Sequence, residues 1–587
     1  MSRRSCGELR AADVGAGVEL DGWVNRRRDH GGLIFIDVRD HTGVTQVVFH
    51  PEHAAFETAE TLRHEDVVRV RGMVRRRPAG TENAKLSTGE IEIVADELLI
   101  YSRALVPPFP IWGDEDIDES VRMEYRYLDL RRPRMQRNLR LRHRIVKAMR
   151  DFFDARGFVE IETPMLIKST PEGARDYLVP SRLHHGSFYA LPQSPQVLKQ
   201  LLMVAGFGKY MQIARCMRDE DQRADRQPEF TQVDVEMSFV GEEDVFDVME
   251  ACMAYVWQDA LGITLPLPFP RLRHEDALPR YGSDKPDLRF DLELRDLSAA
   301  FANSEFKVFR DQVVSDGGAV IGLRYPGGAA LSRRDFDALT EEAKQEGAKG
   351  LVWIAFDAGA VRSPIAKFLS SDATTSVKNV LSAQPGDAAL LFAGERGSTI
   401  DVAGRMRNIV GDRCSLRDPT QFRFAWVTDF PLFERDPETG KPMPAHHPFT
   451  APRDDQWDLL ESDPLAMRAQ HYDLVLNGWE LGSGSIRIHK PEFQKKIFAM
   501  LGMTEEQIED RFGFFLRALD YGAPPHGGIA LGIDRIAMIA ADEVNLREVV
   551  AFPKNQVARD VMMNAPSAVP EKLLSELNIS VKPPKNR

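Results

Sequence analysis

The stretch Tyr210–Met237 constrains the fold more than any other part of this chain. Gln212, Ala214, Cys216 and Arg218 fall on one face of a first predicted strand. On a second, Phe230, Gln232, Asp234 and Glu236 share one face, and Thr231, Val233, Val235 and Met237 share the other. A period of two, with one apolar face and one polar, acidic face, marks a strand whose back packs on a core and whose front lines a pocket. Between the strands, the charged stretch from Asp219 to Pro228 is far longer than a tight hairpin requires. Read alone, such a loop is either a solvated tip with self-compensating charges or a segment that holds a ligand.

An arginine ending one strand, an acidic loop, and Arg226-Gln227-Pro228-Glu229-Phe230-Thr231-Gln232 opening the next resemble the second signature motif of class II aminoacyl-tRNA synthetases, in the form of the bacterial aspartyl enzymes. The resemblance runs along almost the whole chain. It implies a multidomain α+β protein with an N-terminal OB-fold barrel, an antiparallel-sheet catalytic domain and an inserted α+β domain. The expected boundaries are 1–103 for the barrel, 104–140 for a linker or hinge, 141–286 and 413–555 for a split catalytic domain, 287–412 for the insertion and 556–587 for a C-terminal extension.

At 587 residues the chain exceeds a single core and predicts three or four domains. Its 76 basic and 89 acidic residues give a net charge of −13, so contact with RNA has to come from local basic patches. Cys6, Cys216, Cys252 and Cys414 lack any paired spacing, which argues against a zinc site or a disulfide framework. No apolar leader and no run of about 18 apolar residues is found, so a soluble cytoplasmic protein without a membrane partner is expected.

Five predicted strands (18–24, 33–38, 44–49, 67–74 and 91–99), with a helix over 54–62, suggest an OB-fold. Arg26, Arg27 and Arg28 are expected to leave the first strand; Phe35, Arg39, Gln46 and Arg75 to Arg77 follow on the others. Arginines around an exposed aromatic suit single-stranded nucleic acid, whereas a core Phe35 with solubilising arginines would be inert. The resemblance implies that Arg28, Phe35 and Gln46 grip the tRNA anticodon. Prolines 107, 108 and 110 predict the linker, followed by a basic helix through Arg134, Arg137, Arg140, Arg144 and Lys147 with Leu139, Ile145 and Met149 inward.

The helix ending at Gly157, the predicted strand Phe158–Thr163 and Pro164 resemble the first class II motif, which implies a homodimer interface. Ser169–Asp176 resembles the family's mobile loop, with Glu172 reaching the substrate's ammonium. Ser194 and Gln196 open a helix that carries Lys199, a cation suited to a buried side-chain carboxylate. Phe424–Val427 reads as a strand. His446 and His447 invite a metal reading, but neighbours on one strand point apart and cannot chelate one ion. Glu480 and Arg487, seven apart, would face opposite sides of a regular strand, and the intervening glycines permit a bulge that turns both inward. His526–Gly532 reads as a strand running into a helix that begins Ile533-Asp534-Arg535.

The resemblance assigns aspartate to Glu172, Ser194, Gln196, Lys199, Arg218, Asp234, His446 and Arg487. It assigns ATP to Arg218, Asp219, Glu220, Gln227, Phe230, Glu480, Gly532, Ile533, Asp534 and Arg535, and Mg²⁺ to Asp473, Glu480 and Ser483. Arg218, Glu480 and Arg535 are the implied catalytic residues, and the implied reaction makes aspartyl-adenylate and transfers aspartate to tRNA. Within the insertion, Phe306–Phe309, Gly350–Ile354 and Ala388–Ala393 read as strands and Asp335–Gln345 as a helix. His30 and Gly80 stand where enzymes restricted to tRNA(Asp) often carry leucine and lysine. That implies use of tRNA(Asn) as well, although both are also ordinary turn residues. Asparaginyl or lysyl enzymes share the architecture, as would a non-catalytic RNA-binding relative. Lys199 and Arg487 in one pocket favour an acidic substrate over the former pair, and retained Arg218 and Arg535 argue against the latter.

Overall fold

A computed structural model describes the chain except residues 114, 170–172, 221–225, 358–359, 437–438 and 583–587. Glu172 therefore lies outside the described residues. The chain divides into two compact units, one comprising Met1–Leu141 and Asn545–Val569, the other mainly Arg142–Val544, with the division falling inside the helix Pro133–Asp154.

In the first unit, strands Gly17–His30, Leu33–Arg39, Val44–Phe49, Val67–Arg76 and Ile91–Ser102 form a barrel, closed where the first pairs with the fourth. Alternate residues Ile34, Ile36 and Val38 enter the core with Val18, Leu20 and Val24. The first strand is longer than expected. It continues through Arg26, Arg27 and Arg28 to His30 after a register shift near Asn25, and Gly31–Gly32 make the two-residue turn. Positive φ at both turn residues is what that hairpin requires. The segment expected as a hinge is bonded to the barrel, since Arg131 donates to Glu65 Oε2 at 2.8 Å, and Glu65 also takes Arg39. It forms short helices, Glu119–Glu124 and Arg126–Asp129. Asn138, not the half-buried Leu139, takes the inward position at the start of the long helix, where it donates to Glu548 O at 3.1 Å. Arg134, Arg137, Arg140, Arg144 and Lys147 lie on its exposed face.

The second unit is built on an eight-stranded sheet. Its order is Arg271–Arg273, Phe424–Thr428, His471–Leu476, Trp479–Ile486, His526–Gly532, Glu229–Ser238, Lys209–Met217 and Val159–Glu160. Only the two outermost pairs are parallel. The expected Phe158–Thr163 strand shrinks to two paired residues, with Ile161 N adding one bond to Met211 O. Helix Glu242–Leu261 covers the back of the sheet, where Phe246 stacks on Trp426 at 4.3 Å and meets Tyr472 edge-on.

Between Arg295 and Arg362 the chain starts a second sheet of five antiparallel strands, with Gly318–Tyr325 and Ala388–Glu395 at its centre and an apolar cluster on either face. The expected strand Phe306–Phe309 is instead the start of a helix, Lys307–Val314. Phe306, Phe309 and Val313 recur at helical spacing and share one cluster, so a short apolar run was ambiguous between the two periods. Ser332 caps the helix Arg333–Gln345 and exchanges hydrogen bonds with Asp335.

Candidate active site

Strands Lys209–Met217 and Glu229–Ser238 pair in a register that places Tyr210 opposite Glu236, Gln212 opposite Asp234, Ala214 opposite Gln232 and Cys216 opposite Phe230. Directly paired residues share a face, so the polar positions of both strands form one surface. Lys199, on helix Gln196–Val204, inserts its ammonium there, 3.0 Å from Asp234 Oδ1 and 3.4 Å from Glu236 Oε2. Arg487 donates to Glu236 through Nε at 2.9 Å and Nη2 at 3.1 Å, and through Nη1 to Ser485 Oγ at 2.6 Å and His447 Nε2 at 2.9 Å. Two cations and two carboxylates thus form a buried, charge-balanced cluster.

The carboxylates differ in their shares of positive charge. Burial raises both, but Arg487 and Lys199 hold Glu236 below the usual carboxylate range, whereas Asp234, with Lys199 alone at close range, stays raised. Asp234 Oδ2 and Gln196 Nε2 are buried and without a hydrogen-bond partner. Buried polar atoms in folded proteins are otherwise paired, so the two define places for a ligand. The Asp234 oxygen suits an ammonium. The Gln196 amide as oriented offers a donor to a ligand oxygen.

Arg218 follows the strand Lys209–Met217; its N–H donates to Pro228 O at 2.8 Å and its guanidinium stands 5.1 Å from the Phe230 ring centroid. Asp219 pairs with Arg175 through main-chain atoms, Asp219 N donating to Arg175 O at 3.1 Å, while Glu220 lies 3.5 Å from Arg226 and Gln227 is buried. Ser194 Oγ accepts the N–H of Gln196 at 3.2 Å.

The hairpin 471–486 shows the bulge that its glycines permit. Leu474 pairs with Gly482 and Val475 with Glu480, which leaves Leu481 as the extra residue. Glu480 therefore joins Asp473 and Ser483 on one face, where Ser483 Oγ donates to Glu480 Oε1 at 3.2 Å. Burial pushes the Asp473 carboxyl up to about 7, with Asp284 adding to the rise and the Ser483 hydrogen bond and Lys285 opposing it. Glu480 is raised by burial and by Asp473. Arg535, in the first turn of helix Ile533–Ala540, donates to the carbonyl of Glu480. Gly532 and Ile533 make the strand-to-helix junction. Asp534, next to Arg535, has its own partners: its buried carboxylate accepts the Thr231 N–H at 2.9 Å and pairs with Arg142.

His446 and His447 lie in a bend, not on a strand. They still serve different partners. His446 stacks on His471 at 3.5 Å, and burial, followed by the adjacent His471, drives it down to about 2. His471 Nε2 lies 3.0 Å from Asp473 Oδ1. Among the described residues no group of three or more His, Cys, Asp or Glu is placed to hold a metal by itself, and no helix is long and apolar enough to cross a membrane. Sequence reasoning placed Glu236 on the polar face without assigning it a role, and it missed His447, Ser485 and Lys285. Glu236 was signalled by continued alternation beyond Asp234, and Ser485 by its alternation with Ser483; His447 and Lys285 lie in bends and turns that no periodicity encodes.

On the barrel, Arg28 Nη2 donates to Asp37 Oδ1 and Gln46 Oε1, each at 3.0 Å, and Gln46 Nε2 donates to Glu92 Oε2 at 2.7 Å. Phe35 sits opposite Arg28, half-buried and outside the core cluster. His30 ends the first strand exposed, and Gly80 occupies an open turn at φ 85°.

Two family models match the chain: class II tRNA synthetases (D, K and N) over residues 118–556, and the OB-fold nucleic acid binding domain over 18–101. The chain belongs to the class II tRNA synthetases, a family of ligases. Among its relatives, the aspartate-tRNA(Asp/Asn) ligase of Moorella thermoacetica is 55% identical over 575 residues, 98% of this chain and 96% of that protein. The ligase of the same name from Rubrobacter xylanophilus is 53% identical over 586 residues, covering 99% and 98%. The fold is similar to that of asparaginyl-tRNA synthetase from Pyrococcus horikoshii complexed with asparaginyl-adenylate, at 18% identity and a TM-score of 0.59 over 94% of this chain and 98% of that one. A putative aspartyl-tRNA synthetase from Leishmania major superposes with a TM-score of 0.61 at 18% identity, covering 94% of each chain.

Proposed function

We propose that this chain is an aspartate-tRNA ligase that makes aspartyl-adenylate from L-aspartate and ATP and transfers the aspartyl group to the 3′ end of tRNA(Asp) and tRNA(Asn). The observation that carries the reading is the buried meeting of Lys199 and Arg487 in front of the motif strands, beside the unpartnered Asp234 Oδ2. A substrate with a side-chain carboxylate finds two fixed cations, and its ammonium finds the free oxygen of Asp234; a lysine side chain would be repelled by the same cations, and an amide would bring them no charge.

In the first step the α-carboxylate of aspartate attacks the α-phosphorus in line, and pyrophosphate leaves. The nucleophile is already an anion, so positioning and charge neutralisation carry catalysis. Arg218 spans the attacking carboxylate and the α-phosphate, and Phe230 stacks adenine. Asp219, Glu220, Gln227, Gly532 and Ile533 border the nucleotide, and Arg535 holds the outer phosphates. In the second step a hydroxyl of the terminal adenosine attacks the activated carbonyl, and AMP leaves.

Asp473 and Glu480, with Ser483 beside them, present oxygen donors on facing strands, which fits Mg²⁺: that ion takes one or two carboxylates and completes its shell with phosphate and water. When bound it would neutralise charge on the departing pyrophosphate. A homodimer is supported by exposed Val159, on the segment that resembles the first motif, and by exposed Leu166, Leu178, Leu183 and Phe188 just downstream of it. Residence in the cytoplasm fits the unpaired cysteines.

Use of both tRNAs rests on the names of the relatives and on exposed His30 and Gly80. A lysine at residue 80 would have to adopt a backbone conformation that favours glycine. Aspartate-dependent exchange of pyrophosphate into ATP, followed by charging of the two purified tRNAs side by side, tests both levels. No exchange with aspartate would end the main reading; a strong preference for tRNA(Asp), unchanged by His30→Leu with Gly80→Lys, would end the dual one.

A further inference from the structure

The loop Gly282–Leu288 roots the inserted sheet in the catalytic sheet and is held from both sides. Arg407, on helix Arg396–Arg413 and 1% exposed, donates to the carbonyls of Asp287 and Phe290 at 2.9 Å and of Leu292 at 2.5 Å. Its guanidinium stands 4.0 Å from the Phe290 ring centroid. Arg289 clasps the Asp287 carboxylate through Nε at 3.0 Å and Nη2 at 2.7 Å. On the opposite side, Asp287 packs on Gly478 at the tip of the hairpin carrying Asp473 and Glu480; a Cβ on Gly478 would stand 3.4 Å from that of Asp287. Lys285, two residues before Asp287 on the same loop, lies near enough to Glu480 and Asp473 for both carboxylates to act on its charge.

Its ammonium donates to Asp284 Oδ1 at 3.1 Å, and 44% of the side chain is exposed. Burial acts to lower this ammonium, and Asp284, with Glu480 and Asp473 behind it, more than reverses the effect. Lys285 and Arg535 are the cations that bear on Glu480, and Arg535 already spends one N–H on the Glu480 carbonyl. Carboxylates such as Asp473 and Glu480 repel phosphate unless cations stand between them. A lysine on a fixed loop with N–H groups to spare is a point-charge phosphate ligand.

We propose that Lys285 contacts the substrate: its ammonium donates to the outer phosphate oxygens of ATP and to the departing pyrophosphate, beside the Asp473–Glu480 pair. This rests on the function proposed above for the same site. It makes the insertion's root, which supplies no signature motif, part of the nucleotide subsite.

The test compares wild type, Lys285→Met and Lys285→Arg in magnesium pyrophosphate binding by calorimetry, in the KM values for ATP and aspartate, and in melting temperature. Lys285→Met is expected to weaken pyrophosphate binding and raise the ATP KM about tenfold, the worth of one charge-assisted hydrogen bond, with the aspartate KM and melting temperature unchanged. Lys285→Arg should recover most of the loss. Wild-type pyrophosphate affinity in Lys285→Met would overturn the proposal, and so would equal losses for ATP and aspartate accompanied by a lowered melting temperature. Failure of wild-type exchange with aspartate would count against the function instead, and the calorimetry would still decide Lys285.

Discussion

Arg487 and Glu236 face each other through two hydrogen bonds, 2.9 and 3.1 Å long, with 1% of one side chain and none of the other exposed to solvent. Glu236 also stands 3.4 Å from Lys199, so one carboxylate steadies both cations of the pocket. Glu236→Gln should destabilise the protein by about 3–5 kcal/mol, because removing one member of a buried pair strands the other. Denaturant unfolding followed on the catalytic unit measures this; a loss below about 1 kcal/mol, the level of an exposed pair, would show that water reaches the cluster.

Lys199→Leu and Arg487→Leu should cripple aspartate activation by as much as about 10⁴-fold while ATP binding changes little, since a site built for a polar partner discriminates strongly when the pairing is lost. Separate titrations of aspartate and ATP in the exchange reaction check it. Loss of ATP binding with aspartate untouched would show the pocket assignment to be wrong.

Acid should unfold this protein through its buried histidines. Burial, the largest cause for each, holds His446 at about 2, His471 at about 3 and His447 well below the ordinary value; next after burial, His471 lowers His446 further and Arg487 lowers His447, while at His471 Glu480 opposes the drop and Arg487 adds to it. The unfolded chain binds these protons near pH 6.5 and the native one does not, so stability is full above that pH and falls as pH drops below it, by about 1.4 kcal/mol per pH unit for each such histidine. His446→Phe keeps an aromatic ring against His471 and removes one titrating group. Its stability measured between pH 7 and 5 should fall less steeply than that of wild type, and identical slopes would refute the assignment.

Gly404→Ala should loosen the root of the insertion. A Cβ there would lie 2.5 Å from Gly282 O and 2.6 Å from its Cα, so main chain has to move, at a cost of about 1–3 kcal/mol. Hydrogen exchange at residues 282–292 should quicken in the variant.

On the barrel, Phe35→Ala should raise the KM for tRNA about 5- to 100-fold, the worth of one stacked base. Aspartate-dependent pyrophosphate exchange, which needs no tRNA, serves as the internal reference, and an unchanged tRNA KM would return Phe35 to a packing role.

The sheet at the heart of the site was legible because alternation of side chains is written directly in a strand. Asp234, Glu236 and Phe230 share a face in the structure as their spacing requires, and strand His526–Gly532 passes straight into its helix. What alternation does not encode was lost. Phe306–Phe309 is too short to tell a period of two from one of 3.6, and the histidine pair sits in a bend where parity means nothing. The partners of Asp534, Thr231 and Arg142, lie about 300 and 400 residues away in sequence, and only the folded chain brings them together. The prolines of the expected hinge likewise said nothing of Arg131 reaching Glu65.

The extra residue at Leu481 has a consequence for how this site can change. A strand obeys parity: each residue added or removed exchanges inside for outside along everything beyond it. By spending one residue at Leu481, the hairpin lets Glu480 share a side with Ser483, although they are separated by an odd number of positions. Substitution of any side chain leaves that count intact, whereas loss of a single residue between Glu480 and Ser483 would turn Glu480 away with every amino acid of the site still present. The length of the hairpin therefore matters to this site as much as its chemistry does.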